Sequence, residues 1–387
     1  LADLLRDRLD NIHPPLYFIV LKAWLALTGE TLFSARYLSV LAGWLQVAAA
    51  YAVAARWFGR RTGLIAAFLS AISAVSIIYA QEVRTYSILP LAYLTLLAIT
   101  RELTRSTSTA PGKRWILWLA LGVVSWIAIH LHYVSLFAVG YVTAWALLSF
   151  LRARRWLDFW RVLIVQFSVA LASLPWFFAA FANWAAISGE ANAGTFVTEA
   201  VPFRYLLAQV WTFHLTGLAG ALSRPGMAAA ASATALLLLL LVALRLYDRR
   251  TRPSTAVLLA HWLFPLSSAL LVWLVRSFSH PRYVAMFAPG LILLSSYVIL
   301  PNVPRKIPGV LSVITRTLAL LLFVFLAALS RWGVWLYFFG EDVAKDDFRA
   351  AARLLELVPG AGVLILVPEP VWARPCDSEG EARVALA

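Results

Sequence analysis

Residues 58–89, FGRRTGLIAAFLSAISAVSIIYAQEVRTYSIL, decide how the chain is read. Arg60 and Arg61 open the stretch, an apolar run occupies 62–79, and a polar turn, AQEVRTYS, closes it at 80–87. A run of this length is close to the roughly 20 residues that cross a bilayer. Basic residues beside a span favour the cytoplasmic side, so the Gln81–Tyr86 turn is expected on the opposite, outer side.

The same grammar repeats along the chain. Of 387 residues, 62% are hydrophobic and 13% charged, with a mean hydropathy of +0.79. That composition, broken into separate apolar runs, is that of a polytopic membrane protein. The 17 Trp and 13 Tyr suit interfacial belts, and the lone Cys376 excludes a disulfide framework and a cysteine metal site. The net charge of +14 sits in short clusters between the runs, so it orients helices and implies no nucleic acid.

Five basic loops fix the expected topology: RWFGRR (56–61), RELTR with GKR (101–114), RARR (152–155), RLYDRRTR (245–252) and PRKIP (304–308). The runs between them lie near 36–56, 62–79, 87–104, 115–131, 134–151, 160–182, 227–247, 255–276, 283–300 and 310–331. This makes about ten spans over 36–331, with both chain ends outside. The first apolar run, Pro15 to Gly29, is short for a crossing and contains Lys22; if it crossed, RWFGRR would be forced outside. It reads instead as a helix at the outer interface. In the preceding residues Leu1, Leu5, Leu9 and Ile12 oppose Asp3, Asp7 and Asp10, an amphipathic pattern of the same kind.

With this topology four polar clusters emerge on one face: NIHPPLYF (11–18), AQEVRTYS (80–87), HLHYVS (130–135) and SFSHPRYV (277–284). Turns need polar residues anyway, but convergence of Glu, Arg, His and Tyr beside a bilayer points to a cavity or a substrate path. Arg84 and Arg282 suit a phosphate, Tyr86 and Tyr283 add hydroxyls, and Glu82 accepts a proton or orients a hydroxyl. A lipid phosphate at the outer leaflet fits that set. Residues 183–226 form the longest loop, in which 203–217 reads as an interfacial helix able to roof the cavity, with His214 a solvated loop histidine in preference to a ligand. After Arg331 the composition turns soluble; a helix pattern, a Pro-Gly break and the strand-like GVLILV (362–367) read as the start of an α/β domain. No internal repeat or low-complexity segment is evident.

The strings NIHPPLYFIVLKAWLALTGETLFSARYLSVLAGW (11–44), FGRRTGLIAAFLSAISAVSIIYAQEVRTYSIL, HLHYVSLF (130–137) and HPRYVAMFAPGLILL (280–294) together resemble the bacterial branch of the GT-C glycosyltransferases. That branch is related to the protein O-mannosyltransferases and the lipid A aminoarabinose transferases. The resemblance implies an all-α polytopic membrane protein of GT-C type, with external interfacial helices at 1–29, a membrane domain over 1–332 and the start of a C-terminal α/β extracytoplasmic domain over 333–387. It implies an enzyme that moves a sugar from a polyprenyl-phosphate carrier to a lipid, glycan or protein acceptor on the outer face of the bacterial inner membrane. Carried over by position, His13 lies where the aminoarabinose transferases place a Lys before Pro. Glu82, Arg84 and Tyr86 form the Q-E-x-R-x-Y turn. Arg282, Tyr283 and Pro289 form the R-Y-x-x-x-x-x-P element, and His132, Tyr133 and His280 join the substrate-binding set.

The family's Asp-Glu pair, which supplies the catalytic base, is expected upstream of Leu1, so the chain as it stands is expected to be inactive. Glu82 and Asp10 are the carboxylates within the chain that the base role falls to, although Asp10 also completes the polar face of the first helix. A divalent metal held by His13, His132, His280 and Glu82 is conceivable, but no His-x-x-His spacing or paired carboxylate supports it. A transporter or flippase of a lipid-linked sugar is the alternative. It would add polar residues at mid-membrane and helices broken in matched halves, for which His261, Pro265 and Gln166 are the few candidates. A non-enzymatic scaffold predicts no such clustering on one face.

Overall fold

The computed structural model describes residues 14–105, 111–191, 203–275, 281–300 and 309–340, with two short strands beyond them. The chain divides into two units, Leu1–Tyr337 and Phe338–Ala387. The second contributes a two-residue antiparallel pairing of Leu364–Ile365 with Ala385–Leu386. The rest of the anticipated α/β segment lies outside the described residues.

The first unit is helical. Helix α1 (Leu16–Thr28) starts behind Pro14 and Pro15 and stops at Gly29, whose N–H closes onto Leu25 O at 2.8 Å. It is apolar but only 13 residues long, below the length of a crossing. Thr31 caps α2 (Leu32–Phe58) by accepting from Ser34 N. Gly59, at φ 97°, then ends α2 and opens α3 (Arg60–Ile72), a left-handed turn that a β-carbon would strain. The run read as a single span at 62–79 is two helices, α3 and α4 (Ala74–Tyr79). Ser73 leaves the helical region (ψ 121°) and turns its hydroxyl to the N–H of Ser76 as a new cap.

There follow α5 (Ile88–Arg105), entered by a 3₁₀ turn at Thr85–Ser87, α6 (Pro111–Leu131), α7 (Ser135–Arg152) and α8 (Trp156–Ala191). Next come α9 (Phe203–Thr216), α10 (Pro225–Tyr247), α11 (Arg252–Val275), α12 (Ala288–Ile299), entered by a 3₁₀ segment at Pro281–Phe287, and α13 (Gly309–Phe339). Among the described residues nine helical segments are long and apolar enough to cross a membrane, and each matches one of the anticipated runs.

The segment Pro281–Ile299 is the centre of the unit: 89% of its span is buried inside the protein, whereas most of the others show an apolar face outward. Its approach to α11 is close. A β-carbon on Gly290 would stand 2.9 Å from both His261 O and Trp262 Cα, so the two backbones meet only because that side chain is missing. Polar groups knit the bundle in the same region. Tyr93 donates to His261 O, and Tyr141 shares a 2.5 Å hydrogen bond with His261 Nδ1. Gln166 donates to Ser125 Oγ at 3.3 Å. His261 and Gln166 are thus used for helix-to-helix contacts, as polar side chains within membrane bundles commonly are.

The basic segments among the described residues gather at one end. Arg56 makes a bidentate pair with Glu102, and Arg155 donates to the carbonyls of Leu103 and Thr104 at the end of α5. The ring of Phe58 lies 4.6 Å from that of Tyr297, which is itself covered by Arg245. The turns carrying Glu82, His132 and Arg282 lie at the other end of their helices.

Candidate functional site

At that other end, Tyr17 of α1 is buried, and its hydroxyl lies 3.4 Å from Ser39 Oγ on α2. Ser39 in turn donates to the main-chain carbonyl of Glu82 at 2.6 Å. The single proton of Ser39 is spent on Glu82, so Tyr17 is the donor in the first bond. Burial pushes the Tyr17 phenol above its usual value, against smaller opposing effects of Ser39 and the nearby Arg84 guanidinium. The helix that follows HPP is thereby tied through α2 to the Q-E-x-R-x-Y turn.

Past that turn the chain enters a 3₁₀ coil in which Thr85, Tyr86 and Ser87 are buried while Arg84 is exposed. The Tyr86 ring stands 5.8 Å from His132, 6.4 Å from Tyr283 and 5.3 Å from Tyr79, and His132 and Tyr283 are 5.4 Å apart. Over this group lies Arg282, its guanidinium carbon 5.8 Å from the Tyr86 centroid and 5.6 Å from that of Tyr283. The guanidinium is held over the two aromatic faces and also hydrogen-bonds Tyr283. His132 is orientated by its own turn: Nδ1 accepts from Val134 N at 3.2 Å, which places the ring proton on Nε2. Glu82 and Arg282 both stand near enough to Tyr79 to act on it electrostatically.

Of the ten residues singled out from the sequence, the structure brings Tyr86, His132, Arg282 and Tyr283 into one cluster, with Glu82 and Arg84 on the adjoining turn. Tyr133 faces elsewhere: its hydroxyl accepts from Trp176 Nε1 at 3.0 Å and its ring meets Phe177 at 5.5 Å, so it belongs to the α8 side of the same end. Burial raises its phenol, and the Trp176 bond partly opposes this. Asp10, His13 and His280 lie outside the described residues. Among the described residues no group of three His, Cys, Asp or Glu side chains gathers for a metal ion.

Sequence reasoning missed Tyr17, Ser39 and Tyr79. Tyr17 sits inside the quoted NIHPPLYF motif and Tyr79 two residues before Gln81, but an aromatic at the end of an apolar run is the commonest of interfacial features. His214 is a correction. It is buried, not solvated, because the last turn of α9 packs inward with Phe213 6.1 Å from Tyr79; its Nδ1 donates to Val210 O at 2.7 Å. Burial pushes its pKa below the usual histidine value, with the Val210 and Val284 carbonyls pulling weakly the other way.

A short helix tied through α2 to the Glu82 turn, and a buried central segment led by Arg282 and Tyr283, are set in a helical fold that other solved structures share. The chain superposes on ArnT from Cupriavidus metallidurans in the apo state with a TM-score of 0.50 at 15% identity, covering 84% of this chain and 64% of that one. The same protein bound to undecaprenyl phosphate gives 0.52 at 16% identity, with 84% and 65% covered. By sequence, residues 12–177 match the family described as dolichyl-phosphate-mannose-protein mannosyltransferase. The chain shares its fold with these two structures. It spans just under two thirds of the length of the ArnT structures it resembles. No curated protein matches it significantly. The family match covers α1 through most of α8, and so includes Tyr17, Ser39, the Glu82–Tyr86 turn and His132, whereas Arg282 and Tyr283 lie beyond it.

Proposed function

We propose that the chain transfers a sugar from a polyprenyl-phosphate carrier to an acceptor on the extracytoplasmic side of a bacterial inner membrane. The observation that carries this is the convergence of Arg282, Tyr86, Tyr283 and His132 from three separate segments at the end away from the basic loops. The GT-C fold and the solved complex of a similarly folded protein with undecaprenyl phosphate support the same reading. In such a transfer the acceptor hydroxyl attacks the anomeric carbon, the bond from that carbon to the phosphate oxygen breaks, and the carrier phosphate departs with its charge. Arg282, with Arg84 on the neighbouring turn, neutralises that charge as it develops. Tyr86 and Tyr283 border the phosphate, and His132 presents Nε2–H. His13 and His280 complete the binding set in this reading. The acceptor proton goes to a carboxylate, for which Glu82 and Asp10 are the residues of this chain to test.

The decisive measurement is binding of undecaprenyl phosphate to the full chain in detergent, with undecaprenol as the uncharged control. The proposal expects retention of the phosphate ester over the alcohol by at least tenfold, reduced toward the alcohol level in Arg282→Gln. Equal retention of the two lipids, or unchanged preference in the variant, overturns it.

A further inference from the structure

The opposite end of the bundle carries a second assembly, built on α6 and α8. Asp158, in the first turn of α8, is buried and holds three arginines: Arg114 at 2.7 Å, Arg155 at 2.7 Å and Arg161 at 3.2 Å. One carboxylate against three guanidiniums leaves a local excess of two positive charges. Arg155 spends its remaining donors on the carbonyls of Leu103 and Thr104. Arg161 does not: its side chain is 45% exposed and makes a single long contact with Asp158. Trp115 and Trp160 stand exposed beside the cluster, as indoles do at the headgroup level.

Directly along the same two helices from these arginines runs a groove of about 380 Å³. Trp118, Gly122 and Trp126 line it from α6, and Val165, Ser168 and Ala172 from α8. Arg114, Trp118, Gly122 and Trp126 recur every four residues, and Arg161, Val165, Ser168 and Ala172 every three or four, so each charge shares a helix face with its groove wall. Gly122 forms the floor, since a β-carbon there would meet Val165 Cγ1 at 3.3 Å. The hydroxyl of Ser168 is turned back to Ile164 O at 2.9 Å, so Ser168 itself makes no polar demand on the groove. From Trp118 to Trp126 the groove is about 12 Å long at 1.5 Å per residue, close to the roughly 15 Å of hydrocarbon in one leaflet.

We propose that this is a binding site for an anionic phospholipid of the leaflet on the basic side, with its phosphate at Arg161 and Arg114 and one acyl chain in the α6–α8 groove. Charge complementarity selects the headgroup, and the leaflet-length groove selects a diacyl lipid over a polyprenyl chain, which is far longer than one leaflet. Basic pockets between helices on the cytoplasmic side are suited to such headgroups. The site is at the end of the bundle remote from the Arg282 cluster, so its occupant is bound without being consumed.

The test is native mass spectrometry of the delipidated full chain with phosphatidylglycerol, phosphatidylcholine of the same acyl chains, undecaprenyl phosphate and inorganic phosphate. We expect one phosphatidylglycerol retained at least fivefold more strongly than phosphatidylcholine, and no competition from inorganic phosphate. Arg161→Gln should remove the preference, and Ser168→Phe, which fills the groove from its exposed rim without touching the arginines, should lower retention of both diacyl lipids at this site. Equal retention of the two diacyl lipids, native binding in both variants, displacement by inorganic phosphate, or undecaprenyl phosphate retained more strongly than phosphatidylglycerol in a manner lost in Arg161→Gln would each overturn the assignment.

Discussion

Ser39 Oγ donates to the main-chain carbonyl of Glu82 across 43 residues of sequence, at 2.6 Å, while the Tyr17 hydroxyl rests on the same oxygen. One side chain on α2 therefore couples α1 to the turn that carries Glu82 and Arg84. In Ser39→Ala the carbonyl loses this donor and Tyr17 its acceptor. A neutral hydrogen bond contributes about 1 kcal/mol, and a buried group left unpaired costs about 1–3 kcal/mol. A drop in thermal stability of that order is expected, together with faster proteolysis at the turn. Tyr17→Phe leaves the Ser39–Glu82 bond intact and should cost less; a larger loss in Tyr17→Phe than in Ser39→Ala would contradict this order of dependence.

Arg282 lies over two aromatic rings, a position in which its planar edge matters as much as its charge. Lys keeps the charge but offers no bidentate fork. In a sugar-transfer assay with a polyprenyl-phosphate donor, Arg282→Lys and Arg84→Ala should each lower turnover at least tenfold, about 1.4 kcal/mol of transition-state stabilisation. Unchanged turnover in both would reduce Glu82 and Tyr283 to ordinary turn residues.

The orientation of the bundle is testable at exposed positions at its two ends. In a Cys376→Ser background, Glu30→Cys, between α1 and α2, should react with an impermeant thiol reagent added to intact cells. Arg250→Cys, in the α10–α11 turn, should react only after permeabilisation. The reverse pattern would invert the topology and move the Arg282 cluster to the cytoplasmic face.

His214 gives the chain a pH signature. Burial depresses its folded pKa, so as pH falls the unfolded chain takes up the proton first. Its contribution is then complete above the free histidine value of about 6.5 and is lost as pH drops below it. The melting temperature should fall from pH 7.5 to pH 5.5, and His214→Phe, which keeps the volume and cannot titrate, should flatten that slope. An equal slope in the variant would place the titration elsewhere.

Much of this was legible in the chain itself. Hydropathy and the placement of arginines located every long helix, because in a bilayer the cost of an exposed backbone or a stranded charge leaves few alternatives. The same reasoning put the Glu82, His132 and Arg282 turns at one end, since helices of bilayer length alternate sides. It also kept α1 from being a span, on length and on the charge that would have followed. What it lost were departures with a local cause: Ser73, one serine among several in 62–79, breaks that run only because its hydroxyl finds Ser76 N.

The sequence by itself determined which segments are membrane helices, which end of the bundle is basic, and which polar turns share the other end. Only the tertiary structure decided which side chains in those turns meet. Tyr86, His132 and Tyr283 cluster under Arg282, Tyr133 turns away to Trp176, and His214 goes inward beside Tyr79. These outcomes depend on how α5, α7, α9 and the central Pro281–Ile299 segment pack against one another. That packing is set by features such as the missing β-carbon of Gly290 against His261 O, whose effect exists only once two helices distant in sequence are side by side. Periodicity along one helix carries information about its own faces and none about the partner each face will find.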